Sequence, residues 1–396
     1  MHKLVRITTV PMSLFILLRS QLKFMSDHYE VVAISSNGPG LEKVAQQTGL
    51  RTVGINMTRE ITPFRDLIAL LSLYTFLKRE KPAIVHTHTP KAGILGMLAA
   101  RLAGVPLRLH TVAGMPLLIK TGLTRKLLEL VEKTTYSCAT NVYPNSHLMK
   151  QIIIESGFCE PEKLKVIGNG SSNGIDTNYF DPSKFDSSST RTALRESLQI
   201  GQNELVFCFI GRIVADKGIH ELIEAFEWLT AKNSEVRLLL LGPFERHLDP
   251  LNKWAEDRIN KNDQIVWIDF KADVRPYLIM SDIFVFPSYR EGFPNVVMQA
   301  GAMGLPSIVS DINGCNEIIE HDKNGIIVPV KDPKALYNAM LNLLNRPEVR
   351  QKMANCSRKL IVQKYDENYV QNELLKEYNA LCETQLSCSQ SEKVRG

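Results

Sequence analysis

Apolar positions along the chain follow two alternating periods. Short runs of strand length fall at residues 4–9, 29–35, 49–55, 83–88, 107–111, 141–146 and 165–167. Between them lie segments with apolar residues at helical spacing: 13–25, 41–48, 64–79, 93–103, 124–136 and 148–156. A glycine- and serine-rich stretch, 168–189, then breaks the rhythm. The alternation resumes with strands predicted at 205–210, 237–241, 265–270, 283–287, 306–309 and 325–328, and helices at 219–231, 250–258, 294–303, 333–344, 347–364 and 365–382. The last residues, 386–396, read as a frayed polar tail. So regular an alternation predicts two parallel sheets, each covered by helices on both faces. The expected division is 1–180, 181–364, and a C-terminal helix from 365 that packs back on the first domain.

A length of 396 residues agrees with two domains. No apolar run approaches the roughly 18–20 residues needed to span a bilayer. The nearest, 10–18, is cut by Arg19 and lacks a small-residue cleavage site, so no secretion signal is expected. Seven cysteines without a C-x-x-C pair point to free thiols in a reducing cytoplasm. Charge is uneven. Residues 1–180 hold 21 Lys and Arg against 12 Asp and Glu, whereas 181–396 hold 26 against 30. A basic front half predicts an anionic partner such as a lipid headgroup.

Two stretches of the second half carry the chemistry. Residues 284–306 read strand, turn, helix, with Pro294 suited to the helix start. The free backbone N–H groups around Phe293 to Val296, in the turn of Gly292 and with Pro294 and Asn295 at the helix start, then form a positive end fit for phosphate. Glu291 lies just before that end, and Gln299 about five residues into the helix. A sugar, a pyrophosphate and a ribose, laid out in line, would meet those three groups. The loop 209–218 leaves a strand with Gly211 and Arg212 and enters a helix after Lys217 and Gly218. Two cations at one strand end suit a departing diphosphate whose negative charge grows as its bond breaks. His86 and His88 share a strand face, but no third ligand has metal-site spacing.

These stretches resemble the E-x7-E and GR-x4-KG motifs of retaining GT-B glycosyltransferases of family 4, with Gln299 where the family's second Glu stands. The resemblance covers nearly the whole chain and is strongest over 205–330. It implies two Rossmann-like domains facing each other across a cleft, with no metal cofactor. Arg212 and Lys217 would bind the donor's phosphates, Glu291 would sit by the donor sugar, and position 299 would hold the ribose. Gly242, in the Gly-Pro-Phe-Glu turn, would pass the nucleotide, and the backbone at Phe270 and Lys271 would meet the base. Ser13 replaces the family's Gly-Gly pair in the first loop and would donate to phosphate. His110 would lie at the cleft floor as a catalytic group. The run HTHTPKAG resembles members acting on lipid-linked sugars, which places His88 and Lys91, with His110, on the acceptor side.

The function this implies is transfer of a sugar, from UDP rather than GDP, to a polyprenyl-diphosphate-linked saccharide at the inner face of the plasma membrane. The product would be a surface polysaccharide such as capsule or exopolysaccharide. The 13–25 helix and a second apolar–basic patch at 117–126 would touch the membrane; no nucleic acid is expected. A GT-B-like nucleotide-sugar epimerase and a non-catalytic nucleotide-sugar-binding scaffold are the alternatives. A dinucleotide oxidoreductase is disfavoured, because Gly38-Pro39-Gly40 fails G-x-G-x-x-G and the 168–174 glycines lead into no helix.

Overall fold

The structure, a computed structural model, describes residues 1–115, 117, 121–247 and 249–395, with side chains for all of these except 187 and 388–395. The chain divides into two compact units. The first comprises Met1–Gly174 together with Asn368–Gly396, and the second Ile175–Glu367.

The first unit holds strands β1 (Lys3–Ile7), β2 (Glu30–Ser35), β3 (Arg51–Gly54), β4 (Ile84–His88), β5 (Leu107–Val112) and β6 (Asn141–Pro144). Its helices are α1 (Arg19–Ser26), α2 (Pro39–Thr48), α3 (Pro63–Glu80), α4 (Pro90–Ala103), α5 (Gly122–Cys138) and α6 (His147–Glu155). The sheet is parallel, in the order β3-β2-β1-β4-β5-β6. Residues of α3, α4 and α5 share one core with the sheet, and residues of α1 and α2 share another on the opposite face.

The second unit opens with α7 (Ser187–Ser197) and continues through β7 (Leu205–Ile210), α8 (Ile219–Thr230), β8 (Val236–Leu241), α9 (Lys253–Lys261), β9 (Ile265–Ile268), α10 (Arg275–Met280) and β10 (Ile283–Phe286). It ends with α11 (Asn295–Ala302), β11 (Ser307–Ser310), α12 (Cys315–Ile318), β12 (Gly325–Val328), α13 (Pro333–Asn345) and α14 (Pro347–Tyr365). The strand order is β12-β11-β10-β7-β8-β9. All of these strands pair in parallel, as doubly buried Val/Ile/Leu-rich runs do. Strand order reverses between β7 and β10, and ligands of such sheets bind beyond the strand ends at that point. The two motif-bearing loops follow these two strands.

The last helix, α15 (Glu367–Arg395), buries Leu374, Tyr378 and Cys382 with Leu4, Leu14 and Leu22 in the core of the first unit. It continues where a frayed tail was expected.

Three further expectations change. Residues 165–167 form no strand; only Leu164 pairs, with Val142. The serines at 187–189 are helical, because Asp186 accepts from the Ser189 amide and caps α7. The 13–25 segment is a π-helical turn, Ser13–Leu18, running into α1, and its Leu14, Leu18, Leu22 and Met25 are core residues.

Candidate active site

In the second unit, β7 ends at Ile210 and the chain turns through Gly211 and Arg212 to Gly218, which starts α8. Gly218 has φ +70° and lies against the loop after β10; a Cβ there would stand 2.1 Å from the Pro287 carbonyl oxygen. No other residue lets the two loops touch so closely. The Tyr289 amide donates to the Asp216 carbonyl at 2.9 Å, and Arg290 pairs with Asp216 at 2.9 Å. The Asp216 amide in turn donates to Asp249 at 2.6 Å.

This contact brings the expected residues together. The Lys217 ammonium donates to Glu291 Oε1, and the Ser288 hydroxyl reaches the same oxygen at 3.1 Å. Lys217 also stands over the Phe286 ring, 5.8 Å from its centre. Arg212 pairs with Glu245 at 2.9 Å. That hydrogen bond, with further help from the fields of Asp216 and Glu291, raises the guanidinium pKa above its usual value. Both loop cations are therefore held by carboxylates.

The turn 288–294 is clamped from a third side. Asn313 Nδ2 donates to the Glu291 and Gly292 carbonyls at 3.3 and 2.5 Å. Gly314, at φ +77°, leaves room for the Gly292 carbonyl, 2.6 Å from where its Cβ would be. The Phe293 ring packs edge-on against Tyr365, 5.4 Å between centres. α11 begins at Asn295, and its N-cap residue, the buried Pro294, supplies no capping side chain. The first-turn amides, Asn295 and Val296 among them, thus keep the orphan character of a helix start. Gln299 is half-buried and its amide has no side-chain partner among the described residues. Clamping groups that the sequence reading missed are Glu245, Ser288, Arg290 and Asn313. Of these only Asn313 carried a signal, the turn dipeptide Asn313-Gly314.

At the nucleotide end, the Gly242 amide donates to the Ile268 carbonyl at 2.9 Å, while its carbonyl accepts from Trp267 Nε1 at 2.9 Å. Phe244 lies edge-on to Trp267 at 5.1 Å. The Phe270 amide, expected to face a base, donates instead to the Asp269 carboxylate at 2.7 Å. The carboxylate stands where a glycine would leave that amide free. Phe270 and Lys271 are exposed.

The first unit corrects more of the expectations. In β4 the side chains alternate, so His86 and His88 face one way and Thr87 the other. Register pairs Thr87 with His110 and His88 with Thr111. His110 therefore lies on the opposite sheet face from His88. It is 3% exposed, hydrogen-bonded through Nδ1 to Thr87 at 2.7 Å, and covered by α4, where a Cβ on Gly93 would stand 2.6 Å from the ring. Burial lowers its pKa to about 4, so it is neutral. Its placement is that of a core histidine. Lys91 is likewise engaged, in a 2.5 Å ion pair with Asp66 of α3. The Ser13 amide, expected to meet phosphate, donates to the Val10 carbonyl at 3.1 Å in a local turn.

His88 belongs to a buried network centred on Arg6, which has no exposed surface. Arg6 Nε donates to His88 Nε2 at 3.1 Å, Nη1 donates to the Tyr378 hydroxyl at 3.1 Å, and Nη2 bonds Gln21 Oε1. His86 bridges Tyr378 and Thr111, at 2.5 and 2.7 Å. Burial first, then neighbouring charges that include Arg6, lower the pKa of both histidines. Because Nε2 of neutral His88 accepts from Arg6, its proton is on Nδ1, making His88 a donor. Gln21, His88, Thr111, Asn145 and Ser172 line a cavity of about 20 Å³, beside which Asn145 Oδ1 and Ser172 Oγ are buried without partners among the described residues.

Comparison with known proteins fits this geometry. The "Glycosyl transferases group 1" model matches residues 190–360, and the "Glycosyl transferase 4-like domain" model matches 22–170. The chain is 32% identical over 379 residues, 96% of its length and 97% of the relative's, to the capsular polysaccharide biosynthesis glycosyltransferase CapM of Staphylococcus aureus. It is 31% identical, over 77% of each chain, to the UDP-Gal:alpha-D-GlcNAc-diphosphoundecaprenol alpha-1,3-galactosyltransferase of Escherichia coli. Anabaena HepE in complex with UDP and glucose shares the fold, with a TM-score of 0.79 at 18% identity, over 96% of this chain and all of that one. The site with its paired loop cations, the two doubly wound units and these relatives together show that the chain belongs to the group 1 glycosyltransferases, family 4, of the GT-B fold.

Proposed function

We propose that this glycosyltransferase is a retaining enzyme that moves a sugar from a UDP-sugar to a polyprenyl-diphosphate-linked saccharide in the assembly of a surface polysaccharide such as capsule. The supporting relatives are a capsular enzyme and a transferase named for a diphosphoundecaprenol acceptor. A third, from Campylobacter jejuni, is named for a diphospho-undecaprenol acceptor at 26% identity over 90% of this chain. The donor reading is supported by the UDP complex of a fold neighbour. In this proposal the enzyme works in the cytoplasm, peripherally at the inner face of the plasma membrane. No helix among the described residues is long and apolar enough to cross a membrane.

The observation that carries the reading is the contact of Lys217 with Glu291, one on each loop beyond the two central strands. The diphosphate would exchange with Glu245 and Glu291 for the guanidinium and the ammonium. These cations then stabilise the charge that builds on the leaving oxygen as the glycosidic bond lengthens. They supply what a divalent cation supplies in other diphosphate sites, so no metal is given a role. Glu291, released from Lys217 and still held by Ser288, accepts from sugar hydroxyls. The acceptor oxygen attacks from the face the leaving group quits, a phosphate oxygen takes its proton, and configuration is kept. Gln299 accepts from and donates to ribose hydroxyls.

Incubation of the full chain with UDP-sugars and a synthetic polyprenyl-diphosphate saccharide tests this. The expected product is a lengthened lipid-linked glycan whose new linkage keeps the donor's anomeric configuration. An isomerised UDP-sugar formed without acceptor would establish an epimerase instead.

A further inference from the structure

The sequence pattern points to 13–25 and 117–126 as membrane-facing. The 13–25 segment turns Leu14, Leu18, Leu22 and Met25 to the core and keeps Ile16 and Leu17 exposed, while residues 118–120 of the second expected patch lie outside the described residues. α3 behaves otherwise. Its inner face buries Ala69, Leu73, Phe76 and Leu77. Its outer face carries Phe64, Leu67, Ile68 and Leu71, at i, i+3, i+4 and i+7, each more than half exposed and Phe64 at 86%. Ile61, just before the helix, is exposed as well. A helix apolar on both faces is built for an apolar neighbour on each.

The surroundings say what that neighbour is. From Leu67 to Leu77 no residue is charged, while exposed Arg59 and Arg65 precede this run and exposed Lys78, Arg79 and Lys81 follow it. α5 packs on the other side of α4 and repeats the pattern: Leu123, Leu127 and Leu130 are exposed at i, i+4 and i+7, beside Arg125 and Lys126. Between α3 and edge strand β3 a groove of about 480 Å³, lined by Val53, Ile55, Ile68, Leu71 and Phe76, extends the apolar surface. The first unit as a whole holds 24 Lys and Arg against 15 Asp and Glu. A second copy seated on this face would set cation against cation. An anionic lipid surface complements the flanking cations and the apolar stripe together.

We infer that the outer faces of α3 and α5 are the membrane-docking surface, with α3 lying in the interface plane, Phe64, Leu67, Ile68 and Leu71 among the acyl chains, and the flanking cations among the headgroups. The inference rests on the proposed function only for its choice of a lipid-borne acceptor as the reason to dock.

Flotation of the full chain with phosphatidylglycerol-containing vesicles, and with pure phosphatidylcholine vesicles, tests it. The wild type is expected to float with the anionic vesicles, and F64S/L67S/I68S to partition at least tenfold less. R65E/R79E is expected to lose the preference for anionic over zwitterionic vesicles. The melting temperature and the affinity for UDP should be unchanged in both variants, which separates docking from folding and from donor binding. Equal flotation of the triple variant and the wild type, or no flotation of the wild type, would overturn the inference. So would a dimer in light scattering that the triple variant dissolves. If α3-dependent flotation is seen but no UDP-sugar is used, the proposed function falls and the docking surface stands.

Discussion

Each unit sets an arginine on or just past the first strand of its sheet, and the two arginines occupy opposite environments. Arg6, within β1, is wholly buried and is bonded to a histidine, a tyrosine and an amide, with no carboxylate partner among the described residues. Arg212, just past β7, is 42% exposed at the side chain and pairs with Glu245 across two loops. A buried cation without a counterion is costly and persists only where its neighbours depend on it. A half-exposed pair costs little to open, and a substrate anion can take one partner's place. Arg6 thus positions other groups, and Arg212 is available to a ligand.

The largest expected effect lies in the second unit. Lys217→Ala should lower kcat for transfer by about 10²–10³, the range for removing one preorganised charge from a developing anion. The melting temperature should hold, and a steady-state assay beside a thermal scan checks both. Arginine replacement sharpens the comparison. Arg6→Met strands His88 Nε2 and Gln21 Oε1, while the Tyr378 hydroxyl keeps His86, and at roughly 1 kcal/mol for each lost partner should cost about 2 kcal/mol in urea unfolding. Arg212→Met should stay within about 0.5 kcal/mol of wild type while transfer collapses.

Acid should also tell the units apart. His110 has a folded pKa of about 4, lowered by burial from an ordinary 6.5. The unfolded state therefore binds the extra proton between these values. This contribution is complete above pH 6.5 and is lost as the pH falls towards 4. The loss at pH 5 is about 2 kcal/mol, at 1.36 kcal/mol per pH unit. Urea titrations at pH 7 and pH 5 should show a loss to which buried His86 and His88 add in the same direction, and His110→Gln should remove its own share of about 2 kcal/mol. The smallest effect concerns the ion pair itself. Glu245→Gln frees Arg212 from its anion and should tighten UDP binding by about two- to fivefold, the range of a partly exposed pair. An unchanged or weaker affinity would mean that the pair does not compete with the diphosphate.

The same comparison explains what could be read without coordinates. The donor-side loops are local: Gly211 to Gly218 and Glu291 to Gln299 are contiguous stretches whose glycines, cations and helix start have positional meaning by themselves. The two parallel, doubly covered sheets needed only the β/α alternation. The first-unit network joins Arg6, Gln21, His88 and Tyr378, the first and last 372 residues apart, and no local pattern announces such a set. His110 was misplaced because a motif gives a residue's position along a strand, whereas the face it points to follows from register, which set it with Thr87 under α4. The 187–189 serines were misread for a similar reason, since the same residues that fill loops also open helices behind a capping Asp. At α3, helical period was legible, but which of two apolar faces the core would take was not.

The central claim is that Arg212 and Lys217 together grip the donor's diphosphate. Calorimetric titration of UDP into the wild type, Arg212→Ala and Lys217→Ala measures it directly. Saturable heat with the wild type and an affinity at least tenfold weaker in each variant is the predicted result. No heat with the wild type, or equal affinities in all three proteins, would contradict it.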